Sequence, residues 1–175
     1  MASALESDNP VIFIEHKSQM HQKSQSFQNN KPVPEERYTV PIGKAAITRT
    51  GKDLTIVAPS ANAEHALEAA NELLQHSIDV EVVDLLSIQP WDKDIISESI
   101  KKTNRVIILH EANLTGGVGA EISAFINEKL FEYLDAPVIR IASLDTPVPF
   151  SGNLEKEIYF PLNRIKEKIK FIVDY

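Results

Sequence analysis

The 175-residue chain contains no cysteine. This excludes disulfides, thiolate nucleophiles and thiolate metal sites, and it suits a reducing compartment. An excess of positive charge is also missing: 18 Lys and Arg stand against 25 Asp and Glu, for a net charge of −7. A general nucleic-acid binder needs a basic field to replace phosphate counterions, so that class is excluded. Long hydrophobic runs are absent. The longest aliphatic or aromatic stretches are the four residues at 11–14 and the four at 106–109, far short of a bilayer span. The first ten residues, MASALESDNP, carry Glu6 and Asp8 and no apolar stretch of the kind a signal peptide needs. These absences lead to the expectation of an acidic, soluble, cytoplasmic protein that binds neither nucleic acid nor membrane.

Chemical motifs are sparse as well. There is no Walker loop and no Gly-x-Ser-x-Gly elbow, so serine hydrolase chemistry has no anchor. The five histidines show neither His-x-x-x-His nor His-x-Glu spacing on one helix, and no metal site is expected. No internal repeat is present.

What is there begins with a change of composition near residue 40. Residues 18–36 hold four Gln, three Ser, two Asn and two Pro, with Met20, Phe27 and Val33 as the only large apolar residues. Such a stretch buries too little surface to offset its ordering entropy. It reads as a polar linker over 18–40. Ahead of it, Pro10-Val-Ile-Phe-Ile reads as a short buried strand cut off from its sheet. Residues 1–17 are thus expected to be a remnant and 41–175 a domain.

From Ile42 onward strand and helix patterns alternate. Residues 45–49 and 54–58 flank the turn signal Thr50-Gly-Lys-Asp, and are expected to form an antiparallel pair. Ser60 or Asn62 is placed to cap a helix with the stripe Ala63, Ala66, Leu67, Ala70, Leu73 and Leu74. Residues 78–85 form the next strand. Asp92 caps a helix ending near Lys102, with Trp91 and Ile96 set for a hydrophobic staple. The unbroken apolar run before His110 reads as a parallel strand covered on both faces. A further helix carries Ile122, Phe125, Ile126 and Leu130, and residues 137–141 form the last strand. Pro161 suits the first turn of the final helix, whose inward face is Leu162, Ile165, Ile169, Ile172 and Val173. The order predicts an α/β fold. It is a three-layer α/β/α arrangement around a mostly parallel five-stranded sheet with an antiparallel edge strand.

Three features invite a functional reading. Gly116, Gly117 and Gly119 lie between a strand and a helix, as in a dinucleotide loop, but Ile122 stands where the third glycine belongs; a tight turn with close packing explains them as well. His110 and Glu111 end a buried strand, the edge where open sheets bind ligands. They form an acid–base candidate with Asp84 or Asp145 as neighbours, or else a structural or interface pair. Arg164, Lys166, Lys168 and Lys170 on the last helix read as a solvated face, or as a docking face for an acidic partner.

Six ordered blocks then carry a resemblance. They are VPEERYTVPIGKA (33–45), GKDLTIVA (51–58), VEVVDLLSIQPWD (80–92), KKTNRVIILHEANLTGGVGAEIS (101–123), YLDAPVIRIASLDTPVPF (133–150) and the closing IVDY. The chain resembles the C-terminal domain of the β subunit of thiamin-diphosphate-dependent 2-oxoacid dehydrogenases, the transketolase C-terminal domain. Residues 7–17 resemble the closing strand of that subunit's pyrimidine-binding domain, so the resemblance implies a fragment. Its linker is longer and richer in Gln than the family's. Gln89-Pro-Trp-Asp and His110-Glu-Ala-Asn-Leu-Thr-Gly-Gly resemble the branched-chain (2-oxoisovalerate) type more than the pyruvate type, which is the alternative.

The resemblance implies a parent oxidoreductase that decarboxylates a 2-oxo acid and passes the acyl group to a lipoyl carrier. Thiamin diphosphate and Mg²⁺ would be held by other domains. No catalytic, cofactor or metal residue carries over to this stretch, which alone should turn over no substrate. What carries over is assembly with the α part and a second β copy, and docking of the dihydrolipoyl acyltransferase's subunit-binding domain. The interface positions implied or read above are His110, Glu111, Gly116, Gly117, Asp135 and Tyr175. An independent nucleotide-binding module and a stand-alone regulatory protein are the rivals.

Overall fold

A computed structural model describes residues 1–16, 19–20, 34–159 and 162–175 of the chain. A short helix α1 (Ala2–Leu5) opens it. The strands are β1 (Ala46–Arg49), β2 (Leu54–Ala58), β3 (Val80–Asp84), β4 (Val106–Asn113) and β5 (Ile139–Ser143). The helices between and after them are α2 (Ala61–Leu73), α3 (Lys93–Thr103), α4 (Val118–Leu130), α5 (Gly152–Ile158) and α6 (Leu162–Val173). The sheet order is β1-β3-β2-β4-β5. All neighbours are parallel except β1 and β3. The expected three-layer α/β architecture with an antiparallel edge strand is present.

The strand pattern follows from burial on both faces. Along β2, Leu54 and Ile56 face one core and Val57 faces the other. Along β4, Ile107 and Leu109 alternate in the same way with Val106 and Ile108, as the two-residue period of a strand requires. The first core is roofed by α2 and α6, through Ala63, Ala66, Ala69, Ala70 and Leu73 and through Ile165, Ile169 and Ile172. The second is roofed by α3 and α4, through Ile96, Ile100, Ile122, Ile126 and Leu130. Trp91 meets Phe125 edge-on, with ring centroids 4.9 Å apart, and ties the start of α3 to α4. No helix among the described residues is long and apolar enough to cross a membrane.

Three expectations are corrected. First, β1 and β2 are not a hairpin. β1 pairs with β3, Ala46 opposite Asp84 and Ile47 opposite Val83. β2 is fully buried along its length and takes a parallel neighbour on each side. The turn between them carries the chain across the end of β3: Lys52 and Asp53 N–H both donate to the Asp79 carbonyl, and a Cβ on Gly51 would lie 2.2 Å from the Val80 carbonyl carbon. Second, residues 11–14 form no strand and are exposed, Ile12 at 90%. Third, Ser60 is the N-cap of α2 but its hydroxyl caps nothing, and its φ is 54°. Asn62 is buried in the first turn instead.

Other expectations hold or shift by a few residues. Asp92 caps α3, its Oδ1 accepting from Ile95 N–H at 3.3 Å, and Trp91 and Ile96 share one core. β4 continues to Asn113, three residues past His110. The helix α5 had no sequence signal of its own. Residues 34–40 have no regular structure, whereas Phe27, Val33 and most of the polar linker, like the N-terminal Pro161 of the final helix, lie outside the described residues.

Candidate functional site

The C-terminal edge of the sheet gathers most of the singled-out residues. β4 delivers His110 to this edge, where it is 2% exposed and neither ring nitrogen has a hydrogen-bond partner. Two glycines make room for the ring. A Cβ on Gly119 would lie 2.4 Å from His110 Nε2, and one on Gly117 would lie 2.6 Å from His110 Cε1. The third, Gly116, sits in open space at φ +75° and turns the chain into α4. The glycines therefore face an imidazole and leave no cradle for a pyrophosphate. Burial, helped by the Arg140 charge and opposed by the Ala112 backbone, holds the His110 pKa below its usual value.

Glu111 points elsewhere. It is exposed, its Oε2 lies 2.8 Å from His16 Nε2, and its carbonyl accepts the Ser143 hydroxyl at 2.7 Å. Neither carboxylate considered as a neighbour reaches His110. Asp145 accepts the Thr115 hydroxyl at 2.6 Å and the Thr115 N–H at 3.0 Å, and these bonds hold its pKa low. Asp84, at the end of β3, accepts the Leu86 N–H at 3.2 Å, while burial pushes its pKa up to about 6. An acid–base pair needs two groups within hydrogen-bond reach of one another or of a shared proton. His110 has no such partner, so the acid–base reading fails on geometry. Among the described residues, no group of three or more His, Asp or Glu could hold a metal ion. These residues do not fit a magnesium diphosphate.

The second site is a corner formed by Arg105, Asp135 and the end of α6. Arg105 Nε donates to the Ile172 carbonyl at 3.1 Å and its Nη1 lies 3.9 Å from Asp135 Oδ2. Asp135 N–H donates to the Asn104 carbonyl at 2.8 Å. Tyr175 is exposed, with its ring 6.2 Å from that of Phe171. Asp135 and the end of α6 are thus joined through Arg105, while the recorded ring contact of Tyr175 is with Phe171. Arg105, which organises this corner, was not singled out from sequence. Its partners lie 30 and 67 residues away, so no local pattern marks it. The basic face of α6 is only partly solvated: Lys166 pairs with Glu72 at 2.7 Å and Arg164 donates to the Ala142 carbonyl at 3.4 Å.

Residues 43–165 match the family described as transketolase, C-terminal domain. The chain is 42% identical over 174 residues to the pyruvate dehydrogenase E1 component subunit beta of Porphyra purpurea, covering 99% of this chain and 50% of that protein. It is 42% identical over 161 residues to the acetoin:2,6-dichlorophenolindophenol oxidoreductase subunit beta of Bacillus subtilis (strain 168), covering 92% of this chain and 45% of that one. Among solved structures it resembles a split-gene transketolase, described as an inactive beta4 tetramer. The TM-score is 0.68 and the identity 26%, over 81% of this chain and 44% of the other. The chain therefore spans about half the length of the relatives it matches. With residues 43–165 matched and the sheet order in place, this chain belongs to the transketolase C-terminal domain family.

Proposed function

We propose that this chain is the C-terminal region of the β subunit of a 2-oxoacid dehydrogenase of the pyruvate type. It serves assembly and docking and carries no chemistry of its own. The observation that carries the reading is the 42% identity over 99% of the chain to a pyruvate dehydrogenase β subunit. The branched-chain type has less support. The residues that suggested it are the stretches 89–92 and 110–117, of which Trp91, Asp92 and His110 are buried and most of the rest are exposed. The relative named above as a dehydrogenase β subunit is of the pyruvate type. Thiamin diphosphate and Mg²⁺ belong to other domains of the parent. There the cofactor supplies the carbanion chemistry, and this region contributes surfaces.

The surface assigned to the acyltransferase is the Arg105–Asp135 corner with Tyr175. Asp135 has 59% of its side chain exposed, and the chain carries net negative charge. A basic partner would be steered to such a corner, and its binding would weaken with salt. The test uses the complete β subunit with its α partner. We expect kcat/KM for pyruvate to exceed that for 3-methyl-2-oxobutanoate by about tenfold or more, as a pocket sized for the smaller acid allows. The reverse ranking overturns the pyruvate assignment. Asp135→Asn should weaken calorimetric binding to the acyltransferase's subunit-binding domain and leave decarboxylation unchanged; unaltered binding removes the docking role.

A further inference from the structure

Beneath α3 the sheet is apolar along part of its strands and polar nearer their N-terminal ends. Val57 and Val83 lie in the second core. Two residues earlier on each strand, the same face carries Thr55 and Glu81. They sit opposite one another in the parallel β2–β3 register and are both fully buried. From the other side α3 turns Ser99 and Thr103 inward beside Ile96 and Ile100. A carboxylate and three hydroxyls thus lie inside the domain, where a polar group without a partner costs stability.

Most of their hydrogen-bonding capacity is used. Glu81 Oε2 pairs with the Lys102 ammonium and accepts the Gly51 N–H at 3.4 Å. The Thr103 hydroxyl lies 3.0 Å from the Ser99 carbonyl and 3.2 Å from the Arg105 carbonyl, so its single proton goes to a carbonyl. Thr55 Oγ1, 2.7 Å from Thr103 Oγ1, is then the donor between the two threonines, and its oxygen keeps a lone pair. Two buried atoms are left with no partner among the described residues, Glu81 Oε1 and Ser99 Oγ. The remainder is one donor proton on Ser99 and one acceptor each on Glu81 and Thr55.

These three groups are neighbours. Adjacent strands lie about 5 Å apart, and Ser99 stands one helical turn, about 5–6 Å, from the Thr103 that touches Thr55. Such a span exceeds a direct hydrogen bond and suits one bridging water. We propose that this polar cluster is a binding site for a single water molecule, held between β2, β3 and α3 by Ser99, Glu81 and Thr55. The water accepts the Ser99 proton and donates one proton to Glu81 Oε1 and the other to Thr55 Oγ1. Three hydrogen bonds are the usual complement of a buried water, and every group in the cluster is then satisfied. A cation fits worse, because Lys102 already balances the Glu81 charge and the Ser99 proton still needs an acceptor. An apolar occupant would leave all three groups unpaired.

A high-resolution crystal structure of the full chain should show one solvent peak about 2.6–3.2 Å from each of Glu81 Oε1, Ser99 Oγ and Thr55 Oγ1. In solution, oxygen-17 relaxation dispersion counts long-lived internal waters. Ser99→Ala combined with Thr55→Val removes two of the three partners and should lower the count by one. Ser97→Ala, which loses an exposed hydroxyl bonded to the Lys93 carbonyl, should leave it unchanged. The wild-type crystal does not depend on how the double variant folds. The water site is overturned if Ser99 Oγ bonds directly to Glu81 Oε1, if no peak touches the three atoms, or if the peak carries the anomalous signal of potassium. An unchanged count in a folded double variant overturns it as well.

Discussion

A methyl group at position 119 would sit 2.4 Å from His110 Nε2 and 3.2 Å from Ile108 Cγ2. Neither neighbour is free to move, since both are buried in the end of β4. Gly119→Ala should therefore destabilise the fold by about 1–3 kcal/mol, the usual cost of overpacking. Urea unfolding measures this. In a His110→Ala background the ring is gone, and the same substitution should cost less, with a coupling of about 0.5–3 kcal/mol. Equal costs in the two backgrounds would mean that the glycine answers to something other than the imidazole. The sequence shows glycines at 117 and 119, and so the need for space. It does not show what fills that space, because a glycine carries no trace of its neighbour. This is why a nucleotide loop and a packed histidine look alike until the chain is folded.

At the scale of the element, α3 hangs on its cap. Asp92 Oδ1 accepts from Ile95 N–H at 3.3 Å and its Oδ2 accepts from Ala45 N–H at 3.2 Å, with Lys44 Nζ 3.5 Å away. Burial pushes the Asp92 carboxyl up, but the two N–H groups and Lys44 outweigh it and hold the pKa below the usual value. The stability it contributes is present above the unfolded pKa of 3.8 and is lost as pH falls through the lower folded value. Asp92→Ala should cost about 2–4 kcal/mol at neutral pH, a cap and a charged hydrogen bond together. The difference from wild type should shrink as pH falls from 3.8 through the lower folded value; a pH-independent difference would refute the charged cap. This cap was legible because its signals lie within five residues. The inward faces of α3 and α6 were legible for the same reason. The partner of β1 was not: a turn at 50–53 favours a hairpin locally, but the pairing with β3 depends on which edge of a finished sheet stays open. Residues 11–14 have the composition of a strand, and composition does not supply an edge to pair with.

For the whole molecule, the two cores share one sheet and cannot unfold apart. Ile165→Ala beneath α6 and Ile122→Ala beneath α4 should each cost about 2–5 kcal/mol. Each should also lower one common melting transition, with calorimetric and van't Hoff enthalpies in agreement. Two separate transitions would show the helical layers to be independent units. The layers differ in one respect. α2 meets the sheet through Ala63, Ala66, Ala69 and Ala70, all 0–3% exposed, so little more than methyl groups separate its backbone from the strands. α6 leans on α2 in turn, through Lys166 and Glu72. A bulkier residue on that face of α2 would lift two helices at once, whereas Glu68 and Asn71 lie outside that buried face. The helix thereby has one side on which any side chain must stay within a methyl group's reach and another on which size is free.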